Sequence, residues 1–510
     1  MQNSGANKII KYVKDNSKSF ILATILTLCN FGVIIFKIQS SDFSFFSKRA
    51  LLVYAIFIII TSLIIFVLFK AKQKAWKIEK LFLFCGLILG SFYVLFLPIS
   101  GVPDEHAHFW RAYELSEGRL ITETDSEGQT GIYIPENLRA ATSDKYSTQE
   151  DGYQATLNDI SVYASDHYVL DNTPADSYAP FNYIPQVIGV WIGKFLHLPI
   201  IPIMYLSRLF NMVTCIIIIY FCIKYIPIMK KIVFLSALFP MSMQLFSSTS
   251  ADGSIICASI ALITFVLYAR KTMKRLLNYK DVLLLIFICS VLVVSKPVYA
   301  FLCFILFWIP KKRFKSDKYK ILTIFLIGTI VLALVLLRLF LSSTAEGRFD
   351  SAAQINFITS NPLVFISILL KNFFLVPTPF IDGVIGKNLE WLSLDLYTPY
   401  ILTFFIFFIF LCAEHETKIT RSFRIFLFCA FFAIVVSTFT VMFIQWSEPG
   451  STIIEGVQGR YFLPILLLIP LFCLPSNNPK KQELVKYNYL VIFTTLANVY
   501  ALIMMFCSHL

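Results

Sequence analysis

The amino-acid sequence predicts an all-α, polytopic integral membrane protein, and three observations carry that prediction. Of the 510 residues 57% are hydrophobic and only 15% charged, against roughly 25% charged in a soluble domain. The mean hydropathy is +0.72. Apolar runs of about 15–22 residues recur along the chain, separated by short loops rich in Lys and Arg, the pattern of helices long enough to cross a bilayer.

Taken in order, spans are expected near residues 19–38, 50–69, 81–99, 205–223, 232–249, 253–269, 281–295, 297–310, 321–342, 398–412, 425–444, 460–475 and 488–507, thirteen in all. The first is preceded by Lys8, Lys11, Lys14 and Lys18 and followed by no small-residue cleavage site, so it reads as an anchor and not a removable signal. Those lysines put the N-terminus in the cytoplasm. Alternation then places the clusters 70–80, 224–231, 270–280, 311–320, 418–424 and 480–486 inside as well. The polar stretch 100–204 falls outside, and from Gly101 to Ala179 it holds fifteen Asp and Glu against four Arg and Lys. Two apolar stretches do not fit as spans. Phe181–Leu198, which contains Asn182, Pro185, Gln186, Gly189 and Lys194, would reverse every later cluster if it crossed; it is expected to lie at the outer interface or to be re-entrant, as is Asn361–Val376.

The same pattern excludes other classes. The net charge of +13 comes from lysines dispersed among short loops, which are topology signals and not a nucleic-acid surface. All 11 cysteines lie within or at the edges of apolar runs and read as small core residues, with no disulfide or metal framework. The organisation expected is a tail with two accessory spans (1–80), a membrane module (81–475) with outer loops 100–204 and 343–397, and a C-terminal loop and last span (476–510).

On this topology the polar residues collect at the outer ends of helices. Pro103-Asp104-Glu105-His106-Ala107-His108-Phe109-Trp110-Arg111 follows the third span, Arg208 begins the fourth, and Gln244 and Asp252 flank the turn after the fifth. Lys296 sits in Ser295-Lys296-Pro297, Asp382, Lys387, Glu390, Trp391 and Asp395 precede the tenth span, and Gln458, Arg460 and Tyr461 lead into the twelfth. Each has a structural reading beside the functional one. Arg208 or Arg460 can snorkel, Asp252-Gly253 can cap or turn, and Lys296-Pro297 can simply break a hairpin. The Asp104/Glu105 pair is the hardest to dismiss. A helix starting at Pro103 would place Asp104, His108 and Arg111 on one face. Asp104, His106 and His108 form a possible divalent-metal set, disfavoured because His-x-His points both rings one way only on a strand. A carboxylate general base is the other use, and no cofactor is expected.

The motifs Pro-Asp-Glu-x-x-His, Ser-x-x-Ala-Asp-Gly at an outer turn, Lys-Pro between short helices and Gly-Val-Gln-Gly-Arg-Tyr-Phe-Leu-Pro (456–464) together resemble a family of bacterial polytopic membrane proteins of unknown function, itself similar to GT-C glycosyltransferases. The resemblance covers about residues 80–475. It implies transfer of a sugar from a polyprenyl-phosphate or -diphosphate carrier to an envelope glycan or glycolipid on the non-cytoplasmic face of the bacterial cell membrane. The essential Asp/Glu of the first large outer loop corresponds to Asp104 and Glu105, and the outer-turn aspartate to Asp252. This chain departs from the best-known arrangement by its two extra spans and by lacking a large soluble C-terminal domain. In the mechanism implied, Asp104 or Glu105 removes the acceptor proton with inversion; the helical face shared with His108 and Arg111 assigns that role to Asp104, with Glu105 in support. Arg460 and Lys296, with Arg111 or Arg208, hold phosphate, and His108, Tyr178, Asn182, Gln244, Trp391, Trp446, Gln458 and Tyr461 complete the sugar and carrier contacts. The alternatives are a transporter or flippase of lipid-linked saccharides, which needs a polar path through the bilayer, and an envelope polysaccharide polymerase or ligase.

The topology has a direct test. In a cysteine-free background, a cysteine at Ser126 is expected to react with an impermeant thiol reagent in intact cells, and one at Ser316 only after lysis. The reverse labelling would overturn the orientation.

Overall fold

The computed structural model describes residues 48–121, 123–124, 130–143, 152–173, 175, 178–341, 349–375, 378–413, 419–473 and 485–509. The expected span 19–38, the N-terminal lysines and the far ends of 321–342 and 460–475 lie outside the described residues. The chain is mostly helical. Among the described residues seven helices are long and apolar enough to cross a membrane: Tyr54–Gln73, Ile78–Phe96, Ile200–Tyr225, Asp252–Lys271, Asp317–Leu337, Arg421–Trp446 and Tyr487–Ser508. An eighth crossing arises if Ser351–Ser360 and Pro362–Phe374, bent by 106°, count as one broken span.

The other apolar segments are helical but short or interrupted, and the sequence says why. The 232–249 segment divides into Lys230–Ala237 and Pro240–Phe246. Pro240 has no N–H to donate and forces Phe239 into an extended conformation (φ −62°, ψ 143°). Pro297–Trp308 is wound largely as 3₁₀ turns after Lys296-Pro297. Gly459–Ile465 is likewise 3₁₀, with Pro464 inside it, and continues as Leu468–Cys473. Tyr279–Ser295 and Thr398–Ala413 are continuous helices of 17 and 16 residues.

Hydrogen bonds sort the element ends into two layers. At one, Arg208 reaches the carbonyls of Leu97 and Pro98, Asn211 donates to the carbonyls of Phe246 and Ser248, and His509 meets Glu390. At the other, Arg313 Nε donates to the Ala269 carbonyl, Arg270 to that of Trp308, Arg424 to that of Phe472 and Lys231 to that of Val485. Successive long helices run from one layer to the other. Among the described residues the first layer holds the acidic motif at 104–105 and the Asp252 turn, and the second the basic loops 224–231, 270–280 and 311–320.

At the acidic layer the described residues between 105 and 199 build a small cap. A three-stranded antiparallel sheet pairs Thr130–Pro135 with Glu123–Thr124 and with Tyr168–Asp171, in the register Ile132↔Asp171 and Pro135↔Tyr168. Alternation puts Ile132 and Ile134 into a core with Phe109, Trp110, Leu138 and Val190. The Phe181–Leu198 stretch contains a helix, Ile184–Phe195, that doubles back at His197 (φ 51°) onto Ile200–Tyr225. A Cβ at Gly189 would lie 2.7 Å from the Ser207 backbone, so two helices meet there at glycine distance. Trp191 and Phe195, 54% and 82% exposed, occupy the outward face, as suits a helix lying at an interface.

One ion pair ties this cap to the membrane helices. Glu105 and Arg208 are both fully buried. Arg208 donates Nε to Oε1 and Nη2 to Oε2 of Glu105, each at 2.8 Å, and its remaining donors reach the Leu97 and Pro98 carbonyls at 2.7 Å. Glu105 Oε1 also accepts the Thr249 N–H at 3.1 Å. Breaking a buried pair strands an uncompensated charge, at a cost of about 3–5 kcal/mol. Arg208→Met is therefore expected to lower the melting temperature of the detergent-purified protein sharply, and Glu105→Gln/Arg208→Met to recover part of the loss. An unchanged melt for Arg208→Met would show that the pair does not hold the cap.

Candidate functional site

The acidic motif folds differently from a helix begun at Pro103. The helix spans Glu105–Ser116, and Asp104 precedes it in the left-handed region (φ 64°, ψ 11°), which Asp tolerates better than most residues. This residue turns the two carboxylates apart. Glu105 points into the buried pair with Arg208, and Asp104 faces Arg460 with its side chain 50% exposed.

Opposite Asp104 stands Arg460. Its Nη2 lies 3.1 Å from Asp104 Oδ2, its Nη1 donates to the Pro103 carbonyl at 3.2 Å, and its Nε lies 3.6 Å from Asp252 Oδ2. Lys296 Nζ donates to the other Asp252 oxygen at 2.6 Å and sits 4.5 Å from the centre of the Tyr461 ring. Arg460, Asp252 and Lys296 have side chains only 6%, 9% and 19% exposed. Asp104 is thus the open member of an otherwise enclosed four-charge chain, Asp104–Arg460–Asp252–Lys296.

Local sequence brings these groups together. Asp252 opens its long helix immediately after the Ser247–Ala251 turn, which Glu105 holds through Thr249. Lys296 is the residue at which Tyr279–Ser295 ends, because Pro297 cannot continue it. Arg460 follows Gly459, whose Cβ position lies 2.2 Å from the Gly383 carbonyl carbon. Any side chain at 459 would push the 3₁₀ segment off the Thr378–Ile385 helix and carry Arg460 with it.

His108 lies behind Asp104, its Nδ1 2.7 Å from the Tyr183 hydroxyl and its ring edge-on to Tyr178 at 5.1 Å. Burial pushes His108 down to about 4, against the opposing pull of Asp104 and Asp252, so it is a neutral imidazole near pH 7. For Asp104, burial acts upward, but Arg460 first, then His108, outweigh it and hold the carboxyl below its ordinary 3.8. The carboxylate is therefore ionised and has an exposed face at neutral pH.

Other sequence-predicted residues fall around this chain. Asn182 Nδ2 donates to Ser295 Oγ, beside Lys296. Tyr461 lies against both cations, and its carbonyl accepts the Tyr299 hydroxyl at 2.8 Å. Asn182 Oδ1, Gln458 Oε1 and Arg460 Nε are buried without a hydrogen-bond partner among the described residues, the signature of a place where water or a ligand completes the network. Gln244 and Trp391 serve as struts. Gln244 Oε1 accepts the Glu390 N–H at 2.9 Å, and Trp391 Nε1 donates to the Ser100 carbonyl at 2.6 Å, pinning the 386–395 loop beside the acidic motif.

Two expected phosphate ligands are turned elsewhere. Arg111 does not share a face with Asp104: it pairs with buried Glu114 and donates to the Leu120 carbonyl at 2.8 Å, bracing the cap. Arg208 is committed to Glu105. His106 faces Trp110 and Trp391 while His108 faces Tyr183, so the two rings diverge as a helix requires. No group of three His, Cys, Asp or Glu among the described residues is arranged to hold a metal ion. Tyr183 and Tyr299 belong to the site and carried no distinguishing signal in sequence. Tyrosines are frequent here, with 24 in the chain, and only the fold selects these two.

Comparison with curated proteins and with solved structures gave no match. Residues 87–469, which include every member of the four-charge chain, match the family DUF2142, described as predicted membrane protein. The chain belongs to the DUF2142 family of membrane proteins.

Proposed function

We propose that the chain is a membrane glycosyltransferase of GT-C type, which moves a sugar from a polyprenyl-phosphate carrier to an envelope glycan or glycolipid with inversion. The observation that carries this reading is the half-exposed, ionised Asp104 held directly against Arg460 at one end of the helices. On this reading the acidic layer faces outward, residues 81–475 form the catalytic module, and the shorter and broken apolar segments complete a thirteen-span topology begun by 19–38.

The acceptor hydroxyl gives its proton to Asp104 as its oxygen attacks the anomeric carbon. The bond from that carbon to the carrier phosphate breaks, and the electron pair leaves with the phosphate. Arg460 and Lys296 offset the charge that develops there, Arg460 through its planar fork and Lys296 as a point charge. Arg460 must loosen its contact with Asp104 to engage phosphate, which frees the carboxylate oxygen that serves as base. Asp252 remains between the two cations and sets their spacing. Glu105, with both oxygens occupied, acts by holding the motif. The transporter alternative needs polar groups along a path through the bilayer, whereas the site charges gather in one layer.

The test is transfer of label from polyprenyl-phosphate sugars to envelope acceptors by purified protein in proteoliposomes. Asp104→Asn is expected to lower turnover by about 10²–10⁴-fold, the usual effect of removing a general base, while carrier binding persists. Arg460→Ala should abolish most transfer and weaken carrier binding, with only partial rescue by Arg460→Lys. Full activity in both Asp104→Asn and Arg460→Ala would sink the reading, and passage of unaltered labelled carrier across the bilayer would replace it.

The pH profile is a separate check. Because Asp104 is held below 3.8 and His108 at about 4, the rate should show no inflection near 6.5 and decline only in strong acid. The same two groups set the pH dependence of stability. Unfolding returns His108 to its ordinary 6.5, so the unfolded chain binds the extra proton and His108 makes the fold less stable as pH falls from 6.5 toward 4. Asp104 adds stability above 3.8 that is lost as pH falls through its lowered value. A rate inflection near 6.5 that disappears in His108→Gln would contradict the neutral-imidazole assignment.

A further inference from the structure

The layer opposite Asp104 holds a cavity of about 470 Å³ lined by Ile419, Arg421, Arg424, Ile425, Phe428 and Phe472. It lies at the start of the 26-residue helix Arg421–Trp446, about 39 Å along the axis from the Trp446 end, where Trp446 packs on Gly456 of the Arg460 segment. This cavity is therefore separate from the four-charge chain, and its occupancy is independent of the proposed transferase activity.

Arg421, Arg424, Ile425 and Phe428 stand at positions i, i+3, i+4 and i+7 and share one helix face. The face is graded, with two guanidinium groups at the helix end and apolar side chains below them. Ile425 and Phe428 are 54% and 47% exposed. Arg424 is fixed in place, its Nε and Nη2 donating to the Phe472 carbonyl at 3.0 and 2.9 Å. The helix start adds to the positive potential. Thr420 makes no side-chain cap and the first turn has no acidic residue, while the first helical bond runs from Arg424 N–H to the Thr420 carbonyl. Two arginines over the positive end of a helix dipole repel it unless an anion lies between them.

We propose that this cavity binds an anionic phospholipid of the adjacent leaflet, with the phosphate between Arg421 and Arg424 and an acyl chain over Ile425 and Phe428. A basic pocket between helices with an apolar floor has the chemistry of a lipid headgroup site, and the apolar floor is what a free anion would not use.

The experiment is native mass spectrometry of the protein released from nanodiscs of equal phosphatidylcholine and phosphatidylglycerol. Wild type should retain one phosphatidylglycerol in preference to phosphatidylcholine. Arg421→Gln should cut that occupancy about five-fold, the weight of one basic side chain near an anionic surface, and Arg421→Lys should keep most of it. Arg421 is exposed and Arg424 keeps its bonds to Phe472 in both variants, so folding is not at risk; an unaltered melt in phosphatidylcholine alone verifies this. Phe428→Asp should also lose the lipid. Equal phosphatidylglycerol retention by wild type and Arg421→Gln would overturn the proposal. So would displacement of the lipid by excess inorganic phosphate, which would mark a free-anion site.

Discussion

The arrangement of the site depends on the buried Glu105–Arg208 pair. Arg208 belongs to a long apolar helix, Glu105 to the helix that opens the cap, and their shared partners are the carbonyls ending Ile78–Phe96 and the N–H of Thr249. Three stretches far apart in sequence, 97–105, Arg208 and Thr249, are locked at one point. A charge pair out of water is costly unless all its polar valences are met, and here nearly every donor of Arg208 and both oxygens of Glu105 are used. The pair therefore acts less as a source of net stability than as a fixed joint. Its position matters because Asp104 is the residue before Glu105 and Asp252 lies three residues after Thr249. Both carboxylates of the four-charge chain are set from this joint.

This division of labour explains why two adjacent acids behave differently. Adjacent residues on a helix point about 100° apart, and the left-handed turn at Asp104 separates its side chain from that of Glu105 further. One carboxylate is consumed by the fold and the other is left with an open face. The close approach at Gly459 does the matching work on the opposite wall, since the Gly383–Gly459 contact fixes where Arg460 emerges. The Val-Gln-Gly-Arg-Tyr motif therefore combines a packing requirement with a charge, and Tyr461 supplies a ring face to both cations.

Much of this was legible in the sequence, and the parts that were not share a physical cause. Apolar runs and basic loops are summed over many residues, so the helices of Ile78–Phe96, Ile200–Tyr225, Arg421–Trp446 and Tyr487–Ser508 stand out without any structure. The residues of the four-charge chain were also visible, because ionisable groups at helix ends in an apolar chain are scarce and costly. Partnership was not visible. Nothing in the sequence says that Arg208 lies opposite Glu105, some hundred positions away, or that Arg111 turns to Glu114. Helix continuity was readable only in part: Pro240 and Pro464 interrupt segments whose composition alone reads as unbroken. Asp104, His108 and Arg111 would share one face only with regular helical geometry from Pro103, and the positive φ at Asp104 removes that register.

The charge balance of the site limits how it can act. Lys296 and Arg460 both contact Asp252, and Arg460 also contacts Asp104, so two cations face two carboxylates with His108 neutral between them. An anionic ligand entering this set must compete with a carboxylate for a cation. The easiest contact to break is Arg460 to Asp104: Asp104 is half exposed and can be rehydrated, whereas Asp252 cannot. Ligand binding would thus uncouple the open carboxylate from its guanidinium while leaving the Asp252–Lys296 pair intact. Arg460 holds the Asp104 carboxyl below its ordinary value, so an anion that drew the guanidinium away would leave Asp104 more basic. On the function proposed above, arrival of the donor would thereby activate the base.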